Sequence, residues 1–412
     1  MMENVAVGKA RHWLTIFATL LVGEAAANAQ EFAAPVDRNY TIDLFIGQAI
    51  GSSRIVGMGG AATAMAQGSP GMLANPASPA VRTMTSHDDW DWDWHLDSMS
   101  PSLGSDHDNN GITTNDSSFS PSATFGAVVQ YKAWGFGFSA TGLVIENSTA
   151  DASGAETRIK TEALVNQLVV ARHFLNGDLV VGAAARGVLL QVANVDDPDA
   201  AQTLLELGGV SLETGVIWKP SARRFRVGAA VRLPVVSDET SIEACDPQNC
   251  AGYVLPNKVK IPWEASVGIA GRKGPSAWNR TSKARWVDEK AILWDVDLVV
   301  TGTTKRGAGL EAFGQHKLQP SGRKHSFSIR GGIDYEWIPG RFRVRGGSYY
   351  EPGRFRDPSG EDIGGRLHLT LGTDLRVWQF GFWDEDYRVR ISLTGDFAKR
   401  FGNGGLSIGF WH

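Results

Sequence analysis

From Tyr387 to Phe397 the chain alternates: Tyr387, Val389, Ile391 and Leu393 are apolar, and Arg388, Arg390, Ser392 and Thr394 between them are polar or charged. Side chains of a strand point alternately to opposite faces, so the segment carries one oily face and one ionic face. The alternation recurs in fourteen runs, at about 90–98, 119–131, 134–146, 156–174, 178–193, 206–219, 225–236, 259–271, 291–301, 326–337, 342–350, 367–377, 387–397 and 406–411. Several exceed the ~9–11 residues that a tilted strand needs to cross a bilayer. The connections sort by parity. Turns after even-numbered runs are tight at 131–134, 175–177 and 339–340, whereas odd-numbered runs open into long polar stretches at 101–118, 195–205, 237–257 and 305–324. Short turns on one side and long loops on the other form the pattern of an outer-membrane barrel. The expected fold is all-β, a transmembrane antiparallel β-barrel of about fourteen strands, with both termini on the short-turn side. One connection breaks the rule: 272–290 falls on that side, yet it is long and basic.

Charge distinguishes the two faces. Asp295 and Asp297 alternate with apolar residues in the ninth run, and Arg330, Asp334 and Glu336 in the tenth. Arg343 and Arg345 follow in the eleventh, Arg366, His368, Asp374 and Arg376 in the twelfth, and Arg388, Arg390 and Asp396 in the thirteenth. A charge facing lipid near the midplane costs about 2–4 kcal/mol, so this set is expected to face a water-filled lumen. Neighbouring runs carry complementary signs, which predicts an ionic network of cross-strand pairs. Of the fourteen tryptophans, Trp134, Trp218, Trp263, Trp294, Trp337, Trp378, Trp383 and Trp411 fall at or near run ends, where an aromatic girdle meets the headgroups.

The N-terminus fits this compartment. Lys9 and Arg11 precede an apolar run over 13–22, and Ala27-Asn28-Ala29 supplies small residues for cleavage, so residues 1–29 read as an export signal peptide. No later stretch reaches ~18 consecutive apolar residues, so no helical span is expected. The net charge of −4 gives no electrostatic case for nucleic acid. The two cysteines, Cys245 and Cys250, sit close together in a polar segment, which in an exported chain predicts a structural disulfide. Without neighbouring histidines they make no zinc site.

Between the leader and the first run lie Ser53-Arg54-Ile55-Val56-Gly57-Met58-Gly59-Gly60-Ala61-Ala62-Thr63-Ala64 and Gly71-Met72-Leu73-Ala74-Asn75-Pro76-Ala77. The glycine spacing from Gly57 mimics a dinucleotide fingerprint, but no βαβ unit follows and no acidic residue sits ~20 positions on. Small residues suit a compact plug, and Pro70, Pro76 and Pro79 keep it out of the wall. The stretch from Arg54 to Ala77, with Gly57, Gly59 and Gly60 and its closing Asn75-Pro76-Ala77, resembles the N-terminal hatch of the FadL-like outer-membrane transporter family. Lys260-Ile261-Pro262-Trp263 and the run from Arg343 to Pro352 are also similar to family segments. The resemblance implies a hatch over 30–86 inside a barrel over 87–412, in the outer membrane of a Gram-negative bacterium. It further implies passive transport of hydrophobic small molecules such as long-chain fatty acids or aromatic hydrocarbons. The ligand would be captured by extracellular loops, Leu204 and Leu205 being the apolar contribution of one, then passed by the hatch to a lateral exit. The hatch motifs are shared with related barrels that act as membrane anchors or secretion accessories, which is the alternative reading.

Other constellations add little. Asp106-His107-Asp108-Asn109-Asn110-Gly111 begins like a calcium loop, but the twelfth position is Ser117 instead of a bidentate glutamate. The acids and tryptophans from His87 to His95 read as a first strand, aromatic outside and acidic inside. The expectation is a monomeric non-enzyme without metal or cofactor, whose partners are outer-membrane lipids and a hydrophobic ligand.

Overall fold

Alternation over long runs leaves each strand with edges to pair and one face that must meet lipid, and closure into a ring satisfies both. A computed structural model describes residues 31–45, 51–86, 89–101, 105–113, 122–150, 156–194, 202–237, 246–250, 252–280, 286–382 and 385–411. The signal segment, Trp383 and Cys245 lie outside them. The wall consists of β1 (Trp90–Pro101), β2 (Ser122–Tyr131), β3 (Trp134–Ala150), β4 (Glu156–Phe174), β5 (Leu179–Asn194), β6 (Gln202–Trp218) and β7 (Phe225–Arg232). It continues with β8 (Glu264–Lys273), β9 (Ile292–Thr301), β10 (Ser326–Ile338), β11 (Phe342–Glu351), β12 (Arg366–Phe382), β13 (Glu385–Ala398) and β14 (Phe401–Phe410). Each strand pairs antiparallel with its chain neighbours, and β14 closes on β1 to complete a fourteen-stranded barrel.

Two of the expected runs are not single strands. The run over 225–236 leaves the wall at Leu233-Pro234, and the run over 259–271 enters it only after Pro262-Trp263. Proline cannot donate to a ladder, so the wall ends there and the chain bends inward. Beyond the bends Val235–Ser237 pairs with Lys258–Ile261, which pairs with Thr41–Asp43 and through it with Gly307–Ala308 and Pro320–Ser321. This five-stranded sheet sits at the long-loop end, over an apolar cluster that includes Ile42, Leu44, Leu190, Leu255, Val259 and Phe313.

The strand Thr41–Asp43 in that sheet corrects the expected placement of the N-terminal side of the chain, whereas β14 does end at the short-turn end. Asp43, 2% exposed, is ion-paired with Arg354 at 3.0 Å and accepts from Thr304 Oγ1 at 2.8 Å, which fixes the described N-terminal residues at the long-loop end. The chain then descends through the lumen as helices α1 (Ser53–Gly57) and α2 (Gly68–Gly71) and a 3₁₀ turn at Ser78–Ala80. It reaches the short-turn end where Arg82 donates to the carbonyls of Asp89 and Lys132.

The outer face is apolar. Leu168, Val210, Ile329, Leu371 and Leu393 are all exposed there. Trp134, Trp218, Trp294, Trp337 and Trp378 are exposed and cluster at the short-turn end, giving the barrel an aromatic girdle on one rim. Trp411, by contrast, is buried at 3% beneath Arg343, and Trp263 marks the bend before β8.

Candidate functional site

The inward residues of the wall form a seat and a set of acceptors for the hatch. Helix α1 starts where Ser52 Oγ accepts from Ile55 N at 3.3 Å, and it ends in a turn through Gly59 and Gly60, both at positive φ (66° and 72°). That turn lies against Gly332 and Gly347 of the wall, where an added Cβ would collide with the backbone of Met58 or Gly59. Gly182 and Gly228 take the backbones of Pro76 and Thr63 in the same manner, and Gly215 takes the Asn75 side chain. Gly57 passes over the Arg345 side chain, and a Cβ there would come within 2.9 Å of Arg345 Cδ.

Hydrogen bonds then fix the hatch at two nearly opposite places. On β9, Asp297 Oδ2 accepts from Ala62 N, Thr63 N and Thr63 Oγ1 at 2.8–2.9 Å, and Asp295 Oδ2 accepts from Met65 N at 3.0 Å. On β1, six strands away around the ring, Asp93 accepts from Ser69 N, His95 Nδ1 meets Ser69 Oγ at 2.8 Å, and Asp97 accepts from Ser53 N at 2.9 Å. Asn75 ties the hatch to itself and to the wall. Its Nδ2 donates to Thr63 O at 2.9 Å, Val216 O at 3.2 Å and Ala229 O at 3.3 Å, while its Oδ1 accepts from Ala77 N at 3.0 Å. Pro76 and Ala77 lie against the wall next to it, and Ala77 is fully buried.

Ser69, His95 and Asp97 form a line resembling a hydrolytic triad, with His95 Nε2 at 3.4 Å from Asp97 Oδ2. Their exposures of 0%, 0% and 2% leave no room for a substrate. The set holds the hatch.

The remaining charges lie along the lumen wall. Buried Arg345 sits between Asp334 at 3.6 Å and Asp374, which Arg390 also approaches at 3.6 Å. Arg343 pairs with Glu336 at 3.1 Å, and Arg366 with Glu351 at 2.5 Å. His368 bridges Asp396 and Glu351 at 2.8 and 2.9 Å, while Arg388 binds Asp288. Arg376 stands before a bulge near the short-turn end, and the Arg330 Nε donates to Ser328 Oγ at 3.4 Å. Arg54 of the hatch is half-buried, near Asp334, Asp374 and Arg345. Asp295 and Asp297 therefore differ from the expected cross-strand ion pairs, because their acceptor oxygens are used by hatch amides.

Above the hatch is a cavity of about 200 Å³. Leu44, Phe45, Val188, Leu190 and Ile261 line its apolar part, and Gly60, Leu73 and Ala74 of the hatch lie beneath. A charged belt crosses it: Arg186 at 3.6 Å from Glu213, Glu213 at 3.4 Å from Arg232, and Arg232 at 2.7 Å from Glu264. Gln167 donates to the other Glu213 oxygen at 2.6 Å, and Arg330 lies nearby. The wall steps down beside this cavity. The β6–β7 ladder covers only Glu213–Trp218, so the upper part of β6 has no β7 partner, and exposed Val210, Leu212, Leu233 and Val236 flank the step.

Leu204 and Leu205 are elsewhere. They stand in β6 at a bulge that turns two consecutive side chains inward, both fully buried in the cluster under the mouth sheet. Cys250 is disulfide-bonded and buried. In the calcium-like segment, Asp106 accepts from Asn110 N at 2.9 Å and Gly111 N at 3.0 Å, which caps a turn. Among the described residues no group of three or more histidines, cysteines or acids is arranged to hold a metal ion. Sequence reasoning missed Asp93, His95 and Asp97 as hatch contacts, although their alternation on one face was visible. It also missed Arg186, Glu213, Arg232 and Glu264, which are separate in sequence and meet only when four strands align.

The fold is that of the FadL-like outer-membrane barrels. A Pseudomonas aeruginosa FadL homologue aligns at 14% identity over 87% of this chain and 97% of its own, with a TM-score of 0.52. The Ralstonia pickettii toluene transporter TbuX aligns at 13% over 88% and 98%, and the Pseudomonas putida toluene transporter TodX at 13% over 90% and 99%, each with a TM-score of 0.50. At such identities the likeness is one of fold. No protein-family model and no curated protein matches the chain.

Proposed function

We propose that the chain is a passive outer-membrane channel for hydrophobic small molecules such as long-chain fatty acids or aromatic hydrocarbons. The observation that carries this reading is the cavity, closed below by the hatch and bordered by the step between β6 and β7. A ligand enters between the long connections, rests against Leu44, Val188 and Leu190, and leaves sideways past Val210 and Leu212 into lipid. The driving force is the ligand's preference for hydrocarbon over water, and no energy source is required. The belt of Arg186, Glu213, Arg232 and Glu264 forms one side of the cavity, so a molecule with an apolar body and a polar end fits better than a pure hydrocarbon. The fold likeness to toluene transporters and a FadL homologue supports the same class of cargo. An anchor or secretion accessory needs no such cavity.

Filling the cavity tests the proposal. Val188, 2% exposed, lines it from β5. In a deletion strain, uptake of labelled oleate or toluene should be restored by the natural protein and reduced at least several-fold by Val188→Trp at equal outer-membrane abundance. Equal uptake through the filled variant, or no defect on deletion, would leave the anchor reading in its place.

A further inference from the structure

The β8–β9 connection is long where the other turns at its end are short, and its described residues are fastened to the rim at several points. The first half rests on β7 and on the hatch. Trp278, 5% exposed, packs against Met58 and Met65 of the hatch and Ala270 of β8, with the Arg226 guanidinium 3.9 Å from its ring centre. Asn279 Nδ2 donates to the carbonyls of Pro220, Arg223 and Phe225 at 3.0–3.1 Å, and its Oδ1 accepts from Arg226 Nε at 2.9 Å. The second half is held by β13. Arg388 lies 4.0 Å from the Trp286 ring centre and binds both oxygens of Asp288 at 2.5 and 3.0 Å. Glu289 joins the halves by accepting from Arg272 Nη2 at 2.6 Å and Ser276 N at 3.0 Å.

The connection is therefore held at the β7 rim through Asn279, and at the β10–β11 turn and β13 through Asp288, which lies against Gly340 and binds Arg388. A surface turn needs none of this. Ordering the connection costs conformational entropy, which is offset by burying Trp278 against the hatch and by Asn279, whose two Nδ2 hydrogens are shared among three rim carbonyls. We propose that the described parts of this connection, 274–280 and 286–290, act as a strap that bolts the hatch into the barrel from below, with Trp278 bearing on the hatch and Asn279 and Asp288 fastening it to the rim. The hatch then cannot swing out towards the periplasm unless the strap lets go, whatever the cavity above it holds.

The test reads hatch exposure, not transport. Cys250 is disulfide-bonded, and with both natural cysteines replaced by serine an introduced one is the single target for a maleimide attached to a polymer too bulky to enter the barrel. In full-length protein in nanodiscs, Met65→Cys, at a position 6% exposed, should label slowly. Adding Trp278→Ala and Asn279→Ala should raise its rate at least tenfold, and Asp288→Ala alone should raise it by a smaller factor. Heat-modifiable gel mobility confirms an intact barrel, and Val36→Cys should label equally in every background. An unchanged Met65→Cys rate in folded strap variants overturns the proposal. If the Trp278 variant does not fold, the Asp288→Ala result decides: a raised rate supports the strap and an unchanged one refutes it.

Discussion

Asp297 illustrates how one inward carboxylate can be read two ways. On the sequence it is a charge looking for an arginine on the next strand, but in the barrel one of its oxygens collects three donors from the hatch. A buried donor left without an acceptor costs about 1–3 kcal/mol, so Asp297→Ala should loosen the hatch locally by a few kcal/mol. Hydrogen exchange should show the amides of Ala62 and Thr63 exchanging much faster while those of β3 and β4 stay protected. Asp297→Asn, which keeps a carbonyl acceptor, should recover part of the protection. If Asp297→Ala exchanges like the natural protein, the wall carboxylates are not what holds the hatch. Asn75 belongs to the same class of residue, with both ends of its amide engaged inside the lumen.

At the scale of elements, alternation made the fourteen wall strands legible, because lipid on one side and a lumen on the other impose a period of two on each. The bends were not legible. Pro234 and Pro262 stand inside runs whose apolar residues continue past them, and the same residues serve a second sheet at the mouth. The hatch contacts were hidden for a different reason: Asp93, His95 and Asp97 face inward as the period demands, but what they face comes from a separate part of the chain. The mouth carries a titratable joint of its own. Glu311, on helix α3 (Leu310–Gly314), accepts from Asn110 Nδ2 at 2.5 Å and so ties the β9–β10 connection to the one after β1. Burial, helped by the charge of Asp106, pushes its pKa from 4.5 up to about 8. Burial and Glu311 also raise Asp108, while Arg366 opposes the shift. An acid whose folded pKa lies above its unfolded value binds more protons when folded, so it disfavours the folded joint as it ionises. The joint should be firmest below about pH 4.5 and weaken as pH rises through about 8. Amide exchange over 310–314, corrected for intrinsic rates, should show this slope, and Glu311→Gln should flatten it. Stability that climbs over that range would contradict the assignment.

The whole molecule is threaded. The described N-terminal residues begin at the long-loop mouth, the hatch fills the lumen, and the chain emerges at the short-turn end to start β1. A barrel of this class points its short turns to the periplasm and its long loops outward. In that orientation residues 33–43 are expected at the cell surface, although the wall begins from the opposite side. Val36, 93% exposed and seven residues before the buried Asp43–Arg354 pair, is the place to look. On intact cells, Val36→Cys should react with a membrane-impermeant maleimide. Arg223→Cys, in the turn between β6 and β7, should react only once the outer membrane is permeabilised. Labelling in the reverse order would mean that the barrel is inserted the other way up. Labelling of neither on intact cells would mean that the N-terminal strand does not stay in the mouth sheet. The expected pattern has a consequence for the hatch itself: the chain is held by Asp43 above it and by Arg82 below it, so the hatch is tethered to the barrel on both sides of the lumen.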